Sequence, residues 1–374
     1  MALRRRSTIM TWSLLGPPAA VAVLAVTWGR DLGPVLMLAV AVALIGAALS
    51  AVHHAGVVAR LVGEPFGSLV LAVAVTVIQV GLIVVLMTSG GPQTASLARD
   101  TVFAAVMITV NGIVGLSLLV GARGHGVAAF NPKGTGTALA TVASLTTLTL
   151  VLPTFTGNRA GLEFSPPQLT FAAVVSLLLY GMFTLTRTGP HLHLSPAAVA
   201  ENPPTEIGRS LRPPTAAVAG LSLILLVVAL GAVVGLAKVG APSIVGAVRD
   251  AALPQSIVGV GIAGPVLLPN AIAAVRAAQR RQVQTGLDLA LGSAMASIGL
   301  TIPAVAVASI WLDGPLLLGL GPTQRVLLAL TVVVTILTVV PGRATRLQGG
   351  LHLALLTAYV VLCINPYPAS DVPV

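Results

Sequence analysis

The stretch that decides the fold runs from Phe66 to Thr88, FGSLVLAVAVTVIQVGLIVVLMT, and contains no charged side chain. A run of about 20 apolar residues is long enough to cross a bilayer as a helix. Its single amide, Gln79, stands near the middle, where a polar group that nothing uses is costly. A later apolar stretch carries Asn270 in the same way. The pair predicts two membrane-spanning helices, each with a functional amide.

The composition of the whole chain is that of a membrane protein. Hydrophobic residues make up 56% of the 374 and charged residues 8%, and the mean hydropathy is +0.99. No ordinary soluble domain approaches these values. We therefore predict an all-α polytopic membrane protein with about 11 transmembrane helices. The apolar stretches are centred on residues 10–28, 33–55, 66–88, 101–121, 136–154, 168–187, 215–237, 253–275, 286–310, 324–341 and 348–365.

The distribution of Lys and Arg predicts the orientation. With the N-terminus inside, the inner segments hold fourteen of the 20 basic residues and the outer segments hold six. Cytoplasmic loops carry an excess of Lys and Arg, so we place the N-terminus in the cytoplasm. The same partition accounts for the net charge of +10, since the basic residues flank membrane ends and form no stripe interleaved with aromatic residues. The predicted partner is the lipid bilayer, and we predict no binding to nucleic acid.

A proline-rich polar break at residues 188–214 divides the chain and is typical of a solvated linker. We predict an N-terminal helix (1–32), a first five-helix repeat (33–187), this cytoplasmic linker, and a second five-helix repeat (215–374). An odd number of spans per repeat inverts the second repeat in the membrane, as in many secondary transporters. Although residues 1–9 are basic, as in a secretory signal, Pro17 and Pro18 favour a retained first helix.

The two amides obey the predicted inversion. Gln79 lies on the second span of the first repeat, fourteen residues after Pro65, and Asn270 lies on the second span of the second repeat, sixteen after Pro254. At 1.5 Å per residue each amide is about 20 Å from its own end of the helix. Entering from opposite faces, both reach the middle of a core about 30 Å thick. We predict a mid-membrane site between the repeats.

The next span of each repeat adds small and polar residues. Small residues allow helices to approach closely, and Asn and Ser oxygens can bind cations. Each of them could instead be a packing contact, but their agreement across the repeats favours a site. Gln79 and Asn270 are the predicted metal ligands. The full predicted transport site contains Gln79, Asn270, Asn111, Gly112, Gly292, Ser293 and Ser297.

Several longer motifs follow one another along the chain. They are Gly63-Glu-Pro-Phe-Gly-Ser-Leu-Val-Leu, Asn111-Gly-Ile-Val-Gly-Leu-Ser, Val266-Leu-Leu-Pro-Asn270-Ala-Ile-Ala-Ala-Val-Arg276, Ala290-Leu-Gly-Ser-Ala-Met-Ala-Ser-Ile-Gly and Gly350-Leu-His352-Leu-Ala-Leu. In this order they resemble the signature regions of bacterial calcium/proton antiporters, within the cation/calcium exchanger superfamily. The resemblance covers essentially the whole chain.

This resemblance implies a secondary transporter of the bacterial inner membrane, with eleven helices and alternating access. The resemblance further implies exchange of cytoplasmic cations, chiefly calcium and in some members sodium or potassium, for external protons, and no resident cofactor is expected. In the family, the positions that match Gln79 and Asn270 are glutamates. A carboxylate pair can neutralise one divalent cation or hold two protons, whereas an amide does not titrate near neutral pH.

Other residues are therefore candidates for cation access or proton coupling. Glu64 stands at the cytoplasmic start of a core helix, where it could also serve only the helix dipole. His352 could titrate near neutral pH or simply pack.

Two functions remain open. The first is an active cation exchanger, coupled through Glu64 or a histidine or selective for a monovalent ion. The alternative is a non-exchanging or inactive protein of the same fold that binds ions or partners. We predict no enzyme, because the dinucleotide-like glycines Gly259, Gly261 and Gly264 lie inside an apolar span with no strand before them. The oligomeric state is left open.

Overall fold

The computed structural model describes residues 2–30, 32–63, 66–124, 126–156, 163–188, 215–251, 253–312 and 315–365. Glu64 lies outside the described residues. Residues 189–214 also lie outside them, and these make up nearly all of the predicted linker. The described chain forms eleven long helices and two short strands. The prediction of an all-α polytopic membrane protein is confirmed.

The helices before the linker are α1 (Ala2–Thr27), α2 (Pro34–Val62), α3 (Phe66–Gly90), α4 (Leu97–Gly121), α5 (Pro132–Phe155) and α6 (Pro166–Thr188). Those after it are α7 (Ala216–Asp250), α8 (Ser256–Gln279), α9 (Val283–Ala308), α10 (Pro322–Val339) and α11 (Arg346–Ile364). The strands are β1 (Val127–Ala129) and β2 (Arg343–Thr345). Two helices contain a wider π-helical turn, Ile108–Ile113 in α4 and Thr147–Val151 in α5.

Ten of the described helices, α2 to α11, are long and apolar enough to cross a membrane. Each apolar stretch marked in the sequence falls on one helix, but the predicted end of α7 at residue 237 was wrong. The helix continues to Asp250. The count of basic residues places Lys238 and Arg249 in an outer segment between two spans, whereas both lie within α7.

Local sequence signals fix where several helices begin. Asn131 precedes Pro132 of α5, and its side chain accepts hydrogen bonds from the backbone N–H groups of Lys133 and Gly134. Thr215 caps α7 by accepting from the N–H of Val218. Asn and Thr are favoured N-cap residues. The proline at the first position of α5 has a backbone angle that already suits a helix.

The loops before and after α5 and α10 make contacts that mark the ends of the bundle. Strands β1 and β2 pair antiparallel, and they join the α4–α5 loop to the α10–α11 loop. A bridge between Glu163 and Leu317 joins the α5–α6 loop to the α9–α10 loop. Because α5 and α10 each run from one loop pair to the other, the two pairs mark opposite ends of the bundle.

Helix α4 is the centre of the packing. In its most apolar stretch 83% of the residues are buried, against 56% for α9, the next most buried helix. Helix α4 packs against α8 and α11, and α9 packs against α3 and α6. Exchanging the two predicted repeats relates the pair α4–α8 to α9–α3 and the pair α4–α11 to α9–α6. Helices α2 and α7 pack on each other and on α1.

Candidate functional site

Gln79 lies on α3 and is completely buried. Its Oε1 atom accepts hydrogen bonds from two α9 hydroxyls, Ser297 at 3.1 Å and Thr301 at 3.4 Å. Its Nε2 atom is buried and has no hydrogen-bond partner among the described residues. Leaving a buried polar atom unpaired costs about 1–3 kcal/mol. A ligand that bound next to this atom would recover that cost.

The Gln79 amide can present either of its two polar atoms at this place. Hydroxyl groups accept as well as donate. A 180° rotation of the Gln79 amide group therefore keeps a hydrogen bond with Ser297 and exchanges the positions of Oε1 and Nε2. In that orientation the unpaired atom is a carbonyl oxygen, which is a suitable ligand for a cation.

Asn270 lies on α8 and is half-buried. Its Nδ2 atom donates to the hydroxyl of Ser293 on α9 at 2.7 Å, and that hydroxyl donates to the carbonyl of Leu289 at 2.7 Å. The Oδ1 atom of Asn270 makes no hydrogen bond to a described residue. Gly292 precedes Ser293, and a Cβ atom there would meet nothing within 4 Å. Asn270 thus keeps a carbonyl oxygen that is not used by the described residues.

Helix α9 links the two amides. Ser293 and Ser297 are four residues apart, so they lie on one face of α9, about 6 Å apart along its axis. Gln79 and Asn270 therefore reach successive turns of the same helix face, from α3 and α8 respectively. Within the described residues the two amides share no direct hydrogen bond, and their meeting point is α9.

A second polar group surrounds Asn111, which lies in the π-helical turn of α4. Its Nδ2 atom donates to the hydroxyl of Thr331 on α10 at 2.9 Å, and its Oδ1 atom lies 3.1 Å from Nδ1 of His352 on α11. Both ends of this amide are therefore occupied by protein groups. His352 is completely buried, and its Nε2 atom has no hydrogen-bond partner among the described residues.

Gly112, the neighbour of Asn111, makes a packing contact. A Cβ atom at this position would lie 3.0 Å from Cδ2 of Leu356 on α11. A side chain here would require the end of the Leu356 side chain to shift slightly. The structure thus brings Gln79 together with Ser297, Asn270 with Ser293, and Asn111 with His352, whereas Glu64 lies outside the described residues.

Sequence reasoning missed two hydroxyls of these groups, Thr301 and Thr331. Thr301 follows Ser297 by four residues, so the polar row Ser293–Ser297–Thr301 was visible as a helical spacing. Thr331 offered no such signal, because it stands among apolar residues of α10 and its partner Asn111 is 220 residues away.

A buried carboxylate at the start of α4 was also missed. Asp100 is only 2% exposed and accepts hydrogen bonds from Arg99 Nε (2.9 Å), Ser96 Oγ (2.9 Å) and Gln324 Nε2 (3.2 Å). Arg99 also donates to the carbonyl of Gly319 at 3.1 Å. This cluster ties the first turn of α4 to α10 at the predicted outer end. The adjacent pair Arg99 and Asp100 at the edge of an apolar stretch was the signal in the sequence that could have revealed this cluster.

Asp288 stands at the other end of the core, in the early turns of α9. Its Oδ1 atom accepts from Nε2 of Gln284 at 3.0 Å, and Oε1 of Gln284 accepts from the backbone N–H of Asn131 at 2.8 Å. None of the hydrogen bonds that Gln79, Asn270 and Asn111 make to described residues goes to a carboxylate. The mid-membrane groups are thus built from neutral oxygens and amides.

Buried polar side chains in the middle of a bundle of membrane-spanning helices are typical of secondary transporters. Within that class, the chain belongs to the sodium/calcium exchanger protein family, whose sequence profile matches residues 32–189 and 221–365. The expected membership of the cation/calcium exchanger superfamily is confirmed, and the protein is a cation transporter of this superfamily.

Two relatives align with nearly the whole chain. The y4hA protein of Sinorhizobium fredii, described as a candidate ionic transporter, is 41% identical over 373 residues, which are 97% of this chain and 98% of that protein. The sodium-potassium/proton antiporter ChaA of Escherichia coli is 32% identical over 352 residues, which are 93% of this chain and 95% of that protein.

Two solved structures show the same fold. The H+/Ca2+ exchanger CAX has a TM-score of 0.70 at 16% identity, covering 98% of this chain and 89% of that one. Native YfkE has a TM-score of 0.67 at 15% identity, covering 95% of this chain and 99% of that one.

Proposed function

We propose that the protein exchanges a monovalent cation, sodium or potassium, for protons across the inner membrane of a bacterium, by alternating access at the mid-membrane site. The observation that carries this proposal is the neutrality of the groups around Gln79 and Asn270. The relative ChaA, named as a sodium-potassium/proton antiporter, supports it. The excess of basic residues on one side supports a cytoplasmic N-terminus.

The charge of the site argues for a monovalent ion. Calcium takes six to eight oxygen ligands, and carboxylates normally supply the negative charge that offsets its dehydration. Gln79, Asn270, Ser293, Ser297 and Thr301 offer oxygens without charge. A monovalent ion is less strongly hydrated than a divalent one, so neutral oxygens suit it better.

We assign the proton to His352. Imidazole is the side chain whose charge ordinarily changes near neutral pH. Its buried contact with Asn111 places it against the π-helical turn of α4, and that turn packs against α9. Two like charges in such a core repel, by about 1.7 kcal/mol at 10 Å if the effective dielectric constant is 20. A protonated His352 therefore disfavours a bound cation, and one titrating group matches one monovalent charge.

The second candidate is a protein of the same fold that binds cations without exchanging them. The absence of carboxylates from the hydrogen bonds of Gln79 and Asn270 favours this alternative, because the usual paired proton acceptors are missing. The two candidate functions differ in whether a cation gradient can drive proton transport across the membrane.

Everted membrane vesicles distinguish them. A respiration-driven pH gradient is monitored by a fluorescent amine, and sodium, potassium or calcium salts are added in turn. We expect sodium or potassium to dissipate the gradient in vesicles that contain the protein, and calcium to have little effect. Vesicles without the protein give the background. Failure of all three ions would favour the non-exchanging candidate, and a response to calcium alone would contradict the monovalent assignment.

A further inference from the structure

A cavity of about 220 Å³ lies between the ends of α4 and α8 on the predicted cytoplasmic side. Its polar lining consists of Arg123, Gln279 and Arg281, together with the glycines Gly121 and Gly124. Since a water molecule in the liquid takes up about 30 Å³, the space is large enough for a group of several heavy atoms.

The two arginine side chains in this cavity are not used by the protein itself. Arg346 supplies the hydrogen bonds at the end of α4, where it donates to the carbonyl oxygens of Ala122 and Arg123. By contrast, the guanidinium groups of Arg123 and Arg281 make no hydrogen bond or ion pair with any described residue. Two exposed positive charges without a protein partner among the described residues therefore line one concave space that is open to solvent.

The backbone of Arg281 is in a conformation that an L-residue adopts only at a cost. Its φ is 63°, and it is the only residue other than glycine in the described chain with a positive φ. Helices commonly end in this left-handed conformation, but with Gly or Asn, because a larger side chain costs roughly 1–2 kcal/mol. The turn is held by hydrogen bonds from Arg281 N to Ala278 O (3.1 Å) and from Gln282 N to Ala277 O (2.9 Å).

We infer that this cavity binds a phosphate group through Arg123 and Arg281. Guanidinium groups match phosphate oxygens in geometry and charge, and Gln279 adds an amide donor. The phosphate can come from the headgroup of an anionic phospholipid in the inner leaflet or from a free phosphate. A general excess of basic residues on the cytoplasmic side does not explain why Arg123 and Arg281 line the same cavity. It also does not explain why an arginine occupies a left-handed position that favours glycine.

The test uses the purified full chain in detergent, with melting temperature as the readout, so it does not depend on transport activity. Phosphatidylglycerol is added in one arm, inorganic phosphate in a second, and phosphatidylcholine as the neutral comparison. The test variant is Arg123→Gln, Arg281→Asn, because asparagine tolerates the left-handed conformation. The control is Arg276→Gln, Arg280→Gln, which removes the same charge from neighbouring positions that do not line the cavity.

We expect an anionic ligand to raise the melting temperature of the unmodified protein and of the control. The affinity of the test variant should fall by about tenfold or more for each guanidinium removed. Stabilisation by phosphatidylglycerol alone identifies a lipid headgroup, and stabilisation by inorganic phosphate identifies the free anion. Arg281→Gly alone should fold at least as stably as the parent without ligand, which excludes misfolding as the cause. The inference is overturned if neither anion stabilises the protein, or if the test variant responds as the parent does.

Discussion

Ser297 on α9 donates a hydrogen bond of 3.1 Å to Oε1 of Gln79 on α3, joining residues that are 218 positions apart in the chain. The bond lies where the two halves of the protein meet, and both residues are fully buried. It fixes the amide that we place at the centre of the cation site.

Substitution Ser297→Ala should weaken cation binding. It leaves Oε1 of Gln79 with only the longer contact to Thr301 at 3.4 Å. Loss of one buried hydrogen bond of this kind costs about 1–2 kcal/mol, so the cation concentration for half-maximal exchange should rise roughly five- to thirtyfold. The measurement is the salt dependence of pH-gradient dissipation in everted vesicles.

The matched control is Ser309→Ala, at the residue that follows the last residue of α9. The Ser309 hydroxyl donates to the carbonyl of Ala306 in the last turn of α9, at 2.7 Å. Its removal should leave the salt dependence unchanged. Equal effects of the two substitutions would remove Ser297 from the site.

Substitution His352→Gln should separate cation binding from proton coupling. Glutamine can keep a polar contact with Asn111 but carries no proton that titrates near neutral pH. We expect exchange driven by a pH gradient to fall more than about tenfold, while cation-induced stabilisation of the purified protein at constant pH persists. Thr357→Val, at an exposed position of the same helix, is the control. Coupling that survives in His352→Gln would assign the proton to another group, with Glu64 the first to test.

Substitution Asp100→Asn should destabilise the fold. Asp100 and Arg99 form an ion pair of 2.9 Å in which the side chains are only 2% and 14% exposed. Removing one partner of a buried pair leaves the other charge uncompensated, typically at a cost of about 3 kcal/mol. The melting temperature in detergent should therefore fall by several degrees. In Asp250→Asn, which breaks the exposed pair with Arg249, it should stay unchanged. Similar changes in both variants would contradict a buried role for Asp100.

The adjacent glycines Gly349 and Gly350 of α11 should differ sharply in their tolerance of alanine. A Cβ atom at Gly349 would lie 2.8 Å from the backbone nitrogen of Leu119 on α4, whereas one at Gly350 would meet nothing within 4 Å. Gly349→Ala should push the two helices apart and lower the melting temperature. Gly350→Ala should be neutral or mildly stabilising, since alanine favours a helix. A stable Gly349→Ala variant would contradict the close approach.

Much of the fold was accessible from the sequence because apolar length alone identifies membrane spans. Each marked stretch lies on one helix, and Gln79 and Asn270 each lie within a helix as predicted. The end of α7 was misplaced because apolarity reports the membrane, whereas the helix itself continues through Lys238 to Asp250.

The candidate site was only partly accessible. Isolated amides in apolar surroundings pointed to Gln79, Asn270 and Asn111, because burial makes such residues costly. Their partners could not be read from spacing. His352 is 241 residues from Asn111 and Gln324 is 224 from Asp100, so only the three-dimensional packing of α4 against α10 and α11 reveals these contacts.

The most direct test of the central claim, that a neutral site selects a monovalent cation, is calcium uptake driven by a pH gradient in everted vesicles. The unmodified protein is compared with the double variant Gln79→Glu, Asn270→Glu at matched expression. The account predicts that only the double variant takes up calcium, since two carboxylates supply the charge that a divalent ion needs. Calcium uptake by the unmodified protein at the rate of the double variant would contradict it.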